Sequence, residues 1–278
     1  MKMKKNIFYF LFLAILLSSC KKDIAPTAFG SAEDLLLAKV SRLINTKGGI
    51  TIAAHEDYSK SRNKMITTYQ IDGSFDDNPF DKVEVGDITL EPLQATRPDI
   101  LTNQYVVTKA YNQDQINSVF GRKVSIRYHK PGASVDLRSD MSIESPPPLG
   151  LDVPGIGGTS SFRNVPVTWV AGSSNNNVYI LISFQPESIS NPQFRNYSRV
   201  DRFISVPDNG SYTITNDKFS GIPQGAQFIV AVARGNTALA IGMANGTDRT
   251  GITAIATGSL VGTIGGGGSC SGICIEPL

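Results

Sequence analysis

Short apolar runs separated by turn residues fill most of the chain after Gly49, and this pattern restricts the possible folds more than any other feature. Within the runs, β-branched and aromatic residues alternate with polar ones at a period of two, the spacing of a strand with one buried face. The sequence therefore predicts a mainly β fold. In the first half the predicted strands cover 50–54, 64–71, 82–85, 87–90, 105–109 and 123–129, and a short helix covers 112–119.

The second half of the chain is more plainly β. The run 178–184 is almost entirely apolar, which is typical of a central strand buried on both faces. The step Asn209-Gly210 permits the positive φ angles of a tight hairpin between the runs 202–206 and 211–215. About seven short strands at this spacing predict an immunoglobulin-like sandwich. The other predicted strands cover 165–170, 227–233, 238–243 and 251–257.

A stretch rich in proline and glycine separates the two halves and predicts a linker, because this composition resists regular structure. We therefore expect two β-sandwich-like domains, each with its own core. A helix is predicted before them, since Ser31 and Asp34 form a box-like cap, apolar residues follow at helical spacing, and Gly48 ends the pattern. This helix either packs on the first domain or binds a partner. The predicted divisions are a leader at 1–19, a tether at 20–30, the helix and a β-rich domain at 31–144, the linker at 145–160, the immunoglobulin-like sandwich at 161–264 and a Gly-rich tail at 265–278.

The N-terminus has the pattern of an exported protein. Lys2, Lys4 and Lys5 form a positive segment, and the apolar run 7–17 follows. This run is shorter than the roughly 20 apolar residues that a membrane-spanning helix needs, so it predicts a cleaved leader and not a span.

The leader ends in Leu17-Ser18-Ser19-Cys20, which resembles a lipobox, the motif at which a lipoprotein leader is cleaved before a lipidated cysteine. The resemblance implies that Cys20 carries the lipid and that the membrane is a partner of the mature chain. Several acyl chains together anchor a protein stably, whereas a single chain is marginal. The alternative is an ordinary secretory signal with an incidental cysteine.

Two further stretches resemble proteins of one bacterial phylum. Ser19-Cys20-Lys21-Lys22-Asp23 is similar to the start of many lipoproteins of the Bacteroidota. The segments 210–215, 219–225 and 232–236 are similar to uncharacterised β-sandwich lipoproteins of that phylum. The resemblance implies an outer-membrane location, with the cell surface and the periplasmic face both open. It implies architecture and no activity, because one fold hosts many functions.

The sequence lacks the common catalytic and metal-binding motifs. His55 and His129 lie in no metal-ligand spacing, and the pentapeptide Gly-x-Ser-x-Gly does not occur. The glycine-rich stretches 155–158 and 265–268 complete no phosphate-binding loop. A net charge of +2 without a long basic run is untypical of a nucleic-acid-binding protein. We therefore expect no cofactor, no metal and no nucleic-acid partner.

Acidic residues leave two weaker hypotheses open. The stretch 72–91 could supply oxygen ligands to calcium through Asp76 and Asp77, although acidic loops are more often solvated. A glycosidase needs two carboxylates held roughly 5–10 Å apart across a sugar. Asp136, Asp140 and Glu144 meet that need only if the fold brings them together.

Aromatic residues and cysteines suggest other local features. Trp169 and Tyr179 could stack on a sugar, but core positions in strands explain them better, and Tyr197 is the better candidate for an exposed ring. Cys270 and Cys274 have a spacing that is poor for zinc and differs from that of redox-active pairs. A local disulfide is expected in an oxidising compartment, with free thiols as the alternative.

Three classes of function fit this sequence. The favoured prediction is a non-catalytic binding module that presents β-sandwich loops to a glycan or protein ligand at the outer membrane. The alternative is a structural or fimbrial-type assembly subunit, in which the segment 251–264 exchanges between chains. A glycan-active enzyme is the third class and the least favoured.

Overall fold

The computed structural model describes residues 48–59, 64–75, 80–93, 104–129, 137–153, 161–162, 164–172, 177–186, 191–241, 249–265 and 273–276. The predicted leader, lipobox, tether and first helix all lie outside this range, as do Asp76, Asp77, Asp136 and Cys270.

Strands dominate the described residues, so the predicted mainly β class is confirmed. A single short α-helix, α1, spans Gln113–Asn117 in this part of the chain, with Asn112 as its cap, and 3-10 turns span Pro192–Phe194 and Asn216–Phe219. The strands are β1 Gly48–Ser59, β2 Lys64–Phe75, β3 Lys82–Val85, β4 Ile88–Pro92, β5 Gln104–Val107, β6 Arg122–His129, β7 Leu137–Ser145, β8 Ser161–Phe162, β9 Val165–Thr168, β10 Asn177–Phe184, β11 Val200–Pro207, β12 Ser211–Ile214, β13 Gln227–Ile241, β14 Arg249–Ile264 and β15 Ile273–Glu276.

One sheet of 13 strands runs through both halves of the chain. Its order is β11-β10-β13-β14-β1-β2-β5-β4-β3-β6-β7, with β15 paired to β14 and β8. β1 and β14 are parallel, whereas the other paired strands that the structure describes are antiparallel. Gly49 lies opposite Gly251 in this parallel pair, and a Cβ at Gly49 would lie 2.8 Å from the Gly251 carbonyl oxygen. Glycine therefore permits the close approach at which the two halves join.

The predicted hairpin at Asn209-Gly210 is wrong, although its turn is present. The Asn209 amide donates to the Pro207 carbonyl at 2.9 Å, and Gly210 has a φ of 90°. However, β11 pairs with β10, while β12 pairs with β9 in a separate two-stranded sheet. The turn thus passes the chain from one sheet to the other, and the side chain of Asp208 within it is bound to groups outside both strands.

The main core lies on one face of the large sheet, here called the inner face. Ile50 and Ile52 of β1 and Ile252 of β14 belong to it and are at most 1% exposed. β10 is buried on both faces, as predicted, since Ile180, Leu181 and Ile182 are each 0% exposed.

Part of the predicted linker at 145–160 is described, and its apolar side chains are buried. Leu149, Leu151 and Val153 are no more than 2% exposed and belong to the main core. The residues of 146–153 therefore pack against the inner face. The prolines and glycines of this segment prevent a regular strand. The apolar side chains between them are nevertheless buried.

Candidate functional site

A concave groove of about 1050 Å³ lies on the opposite, outer face of the sheet, where β14, β1, β2 and β5 run side by side. Because successive side chains of a strand point to opposite faces, the residues of β1 that alternate with its core residues line this groove. Its lining is mostly hydroxyl, amide and small side chains. The side chains that the site uses are Thr51, Ala53, His55, Thr68, Gln70, Asp72, Ser74, Gln104, Thr253, Ile255 and Thr257.

The strand register places these residues in rows across the sheet. Thr51 lies between Asp72 of β2 and Thr253 of β14. Four residues further along, His55 lies between Thr68 and Thr257. Each row therefore offers hydrogen-bonding groups from three adjacent strands, which lie about 4.8 Å apart.

His55, which lines the groove, connects a hydroxyl to a carboxylate. Its Nδ1 lies 2.7 Å from the Thr257 Oγ1, and its Nε2 lies 2.9 Å from an Asp57 carboxylate oxygen. The Thr68 hydroxyl donates to the His55 carbonyl at 3.3 Å. This places His55 in a polar site on the groove and not in the core.

A hydroxyl, an imidazole and a carboxylate in series could move a proton, but acyl transfer also needs donors for the developing oxyanion. Thr257 is paired with His55 on one side and with Ala233 on the other, so the backbone around it is engaged in strand ladders. The arrangement is better suited to holding a polar ligand.

Gln70 and Asp72 lie side by side in the lining of the groove. The Gln70 amide nitrogen donates to an Asp72 carboxylate oxygen at 2.5 Å, and Gln70 is exposed. Gln104 follows on β5 and is also exposed. These amides can each donate and accept hydrogen bonds, so they suit ligands that carry many hydroxyl groups.

A buried carboxylate on the inner face, directly behind the groove, binds the backbone of a neighbouring segment. Glu56 is 2% exposed, and its two carboxylate oxygens accept from the backbone amides of Gly150 and Leu151 at 2.8 and 2.7 Å. Gly258, which lies opposite Glu56 on β14, leaves room here, since a Cβ would lie 3.0 Å from Leu151. The segment 146–153 is therefore held against the two strands that form the groove floor.

A buried ion pair also binds the segment 146–153. Arg234 is 2% exposed and pairs with Asp208 at 3.1 Å, while it also donates to the carbonyl oxygens of Pro147, Pro148 and Val170. Burial lowers the pKa of the Arg234 guanidinium from its usual value, and the adjacent Asp208 opposes that shift. With its donors satisfied in this way, the pair serves structure rather than ligand binding.

The aromatic residues named from the sequence do not share a surface. Trp169 is 5% exposed, belongs to the main core and donates through Nε1 to Asp208 at 2.7 Å. Tyr179 is half-buried on the outer face. Tyr197 is 51% exposed, and its ring is tilted by 55° to that of Phe194 at a centroid distance of 6.3 Å.

His129 lies away from the groove, beside Glu84 on the adjacent strand at 3.2 Å. Burial alone would raise the pKa of Glu84, but hydrogen bonds from Lys82 and His129 lower it overall. Lys82 and Arg127 lie 2.8 and 3.7 Å from the same carboxylate, so this group forms a surface ion-pair network.

The remaining predicted site residues are not brought together by the described structure. Glu144 is exposed, and its carbonyl oxygen accepts from Asn236 at 2.6 Å. Asp140 and Cys274 lie in β7 and β15, but their side chains are outside the described structure. The calcium, disulfide and lipid-attachment hypotheses therefore stay predictions.

The described residues contain neither a candidate metal cluster nor a candidate membrane-spanning helix. No group of three or more histidine, cysteine, aspartate or glutamate side chains there could hold a metal ion. No helix among them is long and apolar enough to cross a membrane.

The groove itself was missed at the level of sequence. The alternation of Thr51, Ala53 and His55 with the apolar residues of β1 is visible in the sequence and indicates a second, more polar face. The sequence does not show that β14 lies beside β1, and half of the groove depends on that pairing.

Comparison with known structures finds the crystal structure of the FN1–FN3 domains of chicken CNTN1. It is 16% identical over 77% of this chain, and the match covers 66% of that chain, just under two thirds, with a TM-score of 0.19. At this TM-score the likeness supports no conclusion about fold or function. No family model and no curated protein sequence matches the chain.

Proposed function

We propose that this chain is an exported lipoprotein, held at the outer membrane by lipid on Cys20, that binds a ligand in the outer-face groove. The leader and lipobox pattern supports the anchor. The groove supports binding, because polar side chains from four strands converge on one half-open concavity.

The lining of the groove favours a neutral, hydroxyl-rich ligand, and we assign it to the glycans. Threonine hydroxyls and glutamine amides both donate and accept, which matches the alternating donors and acceptors of a sugar. The lining residues include one carboxylate, Asp72, and one imidazole, His55, and no lysine or arginine. A strongly charged ligand would need more opposite charge than these provide.

The assembly alternative has less support. It requires a strand that can leave its own sheet and pair with another chain. The segment proposed for exchange lies in β14, which is hydrogen-bonded to β1 on one side and to β13 on the other. Removing β14 would break both ladders and the centre of the core, so binding is the better proposal.

The test is binding of the soluble Cys20→Ala chain to an array of neutral and acidic oligosaccharides. Gln70→Ala and Asp72→Asn each remove a hydrogen-bonding group or a charge from the groove lining, and each should weaken binding to a neutral oligosaccharide by about three- to tenfold, the effect of one hydrogen bond. Gln193→Ala is the matched control, because Gln193 is exposed on a 3-10 turn away from the groove.

The control variant should bind like the parent, and the urea midpoint of each variant should show that the fold is kept. Equal binding by all variants would place the site elsewhere. Binding confined to acidic oligosaccharides, or to none, would contradict the assignment to neutral glycans.

A further inference from the structure

The hydrogen bonds around His55 fix the position of its ring proton. Its Nε2 lies 2.9 Å from a carboxylate oxygen of Asp57, which is two residues further along β1 and therefore on the same face. The Ser259 hydroxyl approaches the other oxygen of this carboxylate at 3.5 Å. An ionised carboxylate only accepts hydrogen bonds, so Nε2 must carry a proton. In the neutral imidazole Nδ1 then carries none.

The second ring nitrogen fixes the direction of the Thr257 hydroxyl. Nδ1 lies 2.7 Å from the Thr257 Oγ1, and without a proton it can only accept. The Thr257 hydroxyl therefore donates to His55. Because a hydroxyl has one proton, the Thr257 oxygen can then only accept from a further partner. Thr257 lines the groove, so a ligand there meets an acceptor.

We propose that His55 sets the hydrogen-bonding polarity of Thr257 towards the ligand and reverses it when the imidazole is protonated. Both nitrogens of an imidazolium donate, so Nδ1 would donate to the Thr257 oxygen and the Thr257 proton would become available to the groove. The groove then offers a donor where it had offered an acceptor. This inference rests on the proposed function, because it concerns how the groove recognises its ligand.

Few titratable groups surround His55 in the described part of the sheet. They are Asp57 on β1, Lys64 and Asp72 on β2, and Glu56 and Tyr69, which belong to the inner face. Lys64 and Asp72 each lie four residues, or about 13 Å, from Thr68, the neighbour of His55 on β2. β14 has no titratable side chain between Thr253 and Ser259. Asp57 is therefore the charged group in direct contact with the ring.

Nitrogen NMR of the ring tests the proton assignment without a ligand. The sequence has two histidines, so a soluble Cys20→Ala chain that carries His129→Gln and labelled histidine gives the signals of His55 alone. At about pH 8, where histidine side chains are mostly neutral, we expect one tautomer with its proton on Nε2. Thr257→Val should shift the Nδ1 signal, because this nitrogen loses its donor. Thr213→Val, at an exposed position on the separate two-stranded sheet, should leave it unchanged.

Binding of fluorinated sugars tests the reversal. The probes are the neutral oligosaccharide that the chain binds best and its monodeoxyfluoro derivatives, in which fluorine replaces one hydroxyl and cannot donate. At about pH 8 one derivative should bind about three- to tenfold more weakly than the unmodified sugar, and at about pH 5 this penalty should disappear. In Thr257→Val the penalty should be the same at both pH values. Thr257→Ser, which keeps the hydroxyl, should restore the pH dependence.

A proton on Nδ1 of the neutral ring, or a mixture of tautomers, would overturn the proposal. So would a penalty that is independent of pH for every derivative, or one whose pH dependence persists in Thr257→Val. If no oligosaccharide binds, the proposed function is wrong, while the NMR spectra still decide how His55 directs the Thr257 hydroxyl.

Discussion

At the scale of residues, the molecule depends on a few buried charges. Glu56, Asp208 and Arg234 all lie on or near the inner face, and each binds backbone groups of segments that have little regular structure. Buried charges are costly unless they are paired, so each of these residues constrains its neighbours strongly.

Removal of the Arg234 side-chain charge should therefore destabilise the protein severely. Arg234→Met leaves Asp208 buried without its cationic partner, and we expect a loss of about 3–5 kcal/mol in the free energy of unfolding. Urea unfolding measures this. Arg195→Met, at an exposed arginine, should change stability by less than about 0.5 kcal/mol. Equal midpoints for the two variants would contradict the structural role of the pair.

At the scale of elements, Glu56 determines how 146–153 is held. Glu56→Gln replaces one acceptor oxygen by a donor that faces a backbone amide, so we expect a loss of about 1–3 kcal/mol. Amide exchange at Gly150 and Leu151 should accelerate, as measured by hydrogen exchange. Glu144→Gln, at an exposed position, should change neither quantity. Unchanged exchange at both amides in Glu56→Gln would show that the carboxylate does not hold the segment.

Local patterns predicted most of the elements but not their partners. The strands at 82–85 and 178–184 were predicted within a residue of their bounds because their apolar spacing is local information. The predicted strands 227–233 and 238–243 form one strand, β13, because Gly235 and Asn236 pair with β14 and do not turn the chain. The parallel pair β1 and β14 joins residues about 200 positions apart, and no local pattern encodes such a contact.

Because local patterns do not encode long-range contacts, the candidate site could be predicted only in part. Which residues of β1 face outward could be predicted from alternation. That Thr257 lies beside His55, or that Glu56 reaches Leu151, depends on long-range packing that a single sequence does not reveal.

At the scale of the whole molecule, Ala32–Leu278 forms one compact unit, and its large sheet contains strands from both predicted domain ranges. We therefore expect one cooperative unfolding transition. Fluorescence of Trp169, which lies in the second range, and far-ultraviolet circular dichroism of the whole chain should give the same urea midpoint. Two separated transitions would instead support independent domains divided at 145–160.

The proposed anchor would hold the groove close to a membrane. A binding module tethered to a membrane meets ligands near that membrane at high effective concentration, so modest affinity in the groove is sufficient. The lipid on Cys20 and the groove together make up the proposed function.

Membrane fractionation of cells that produce the parent chain or Cys20→Ala tests the anchored module most directly. The parent should sediment with the outer membrane, and Cys20→Ala should appear in the soluble fraction, since the lipid-bearing thiol is gone. Protease treatment of intact cells then reports whether the groove faces the medium or the periplasm. If Cys20→Ala remains in the membrane fraction as the parent does, the proposal of a lipid-anchored binding module is wrong.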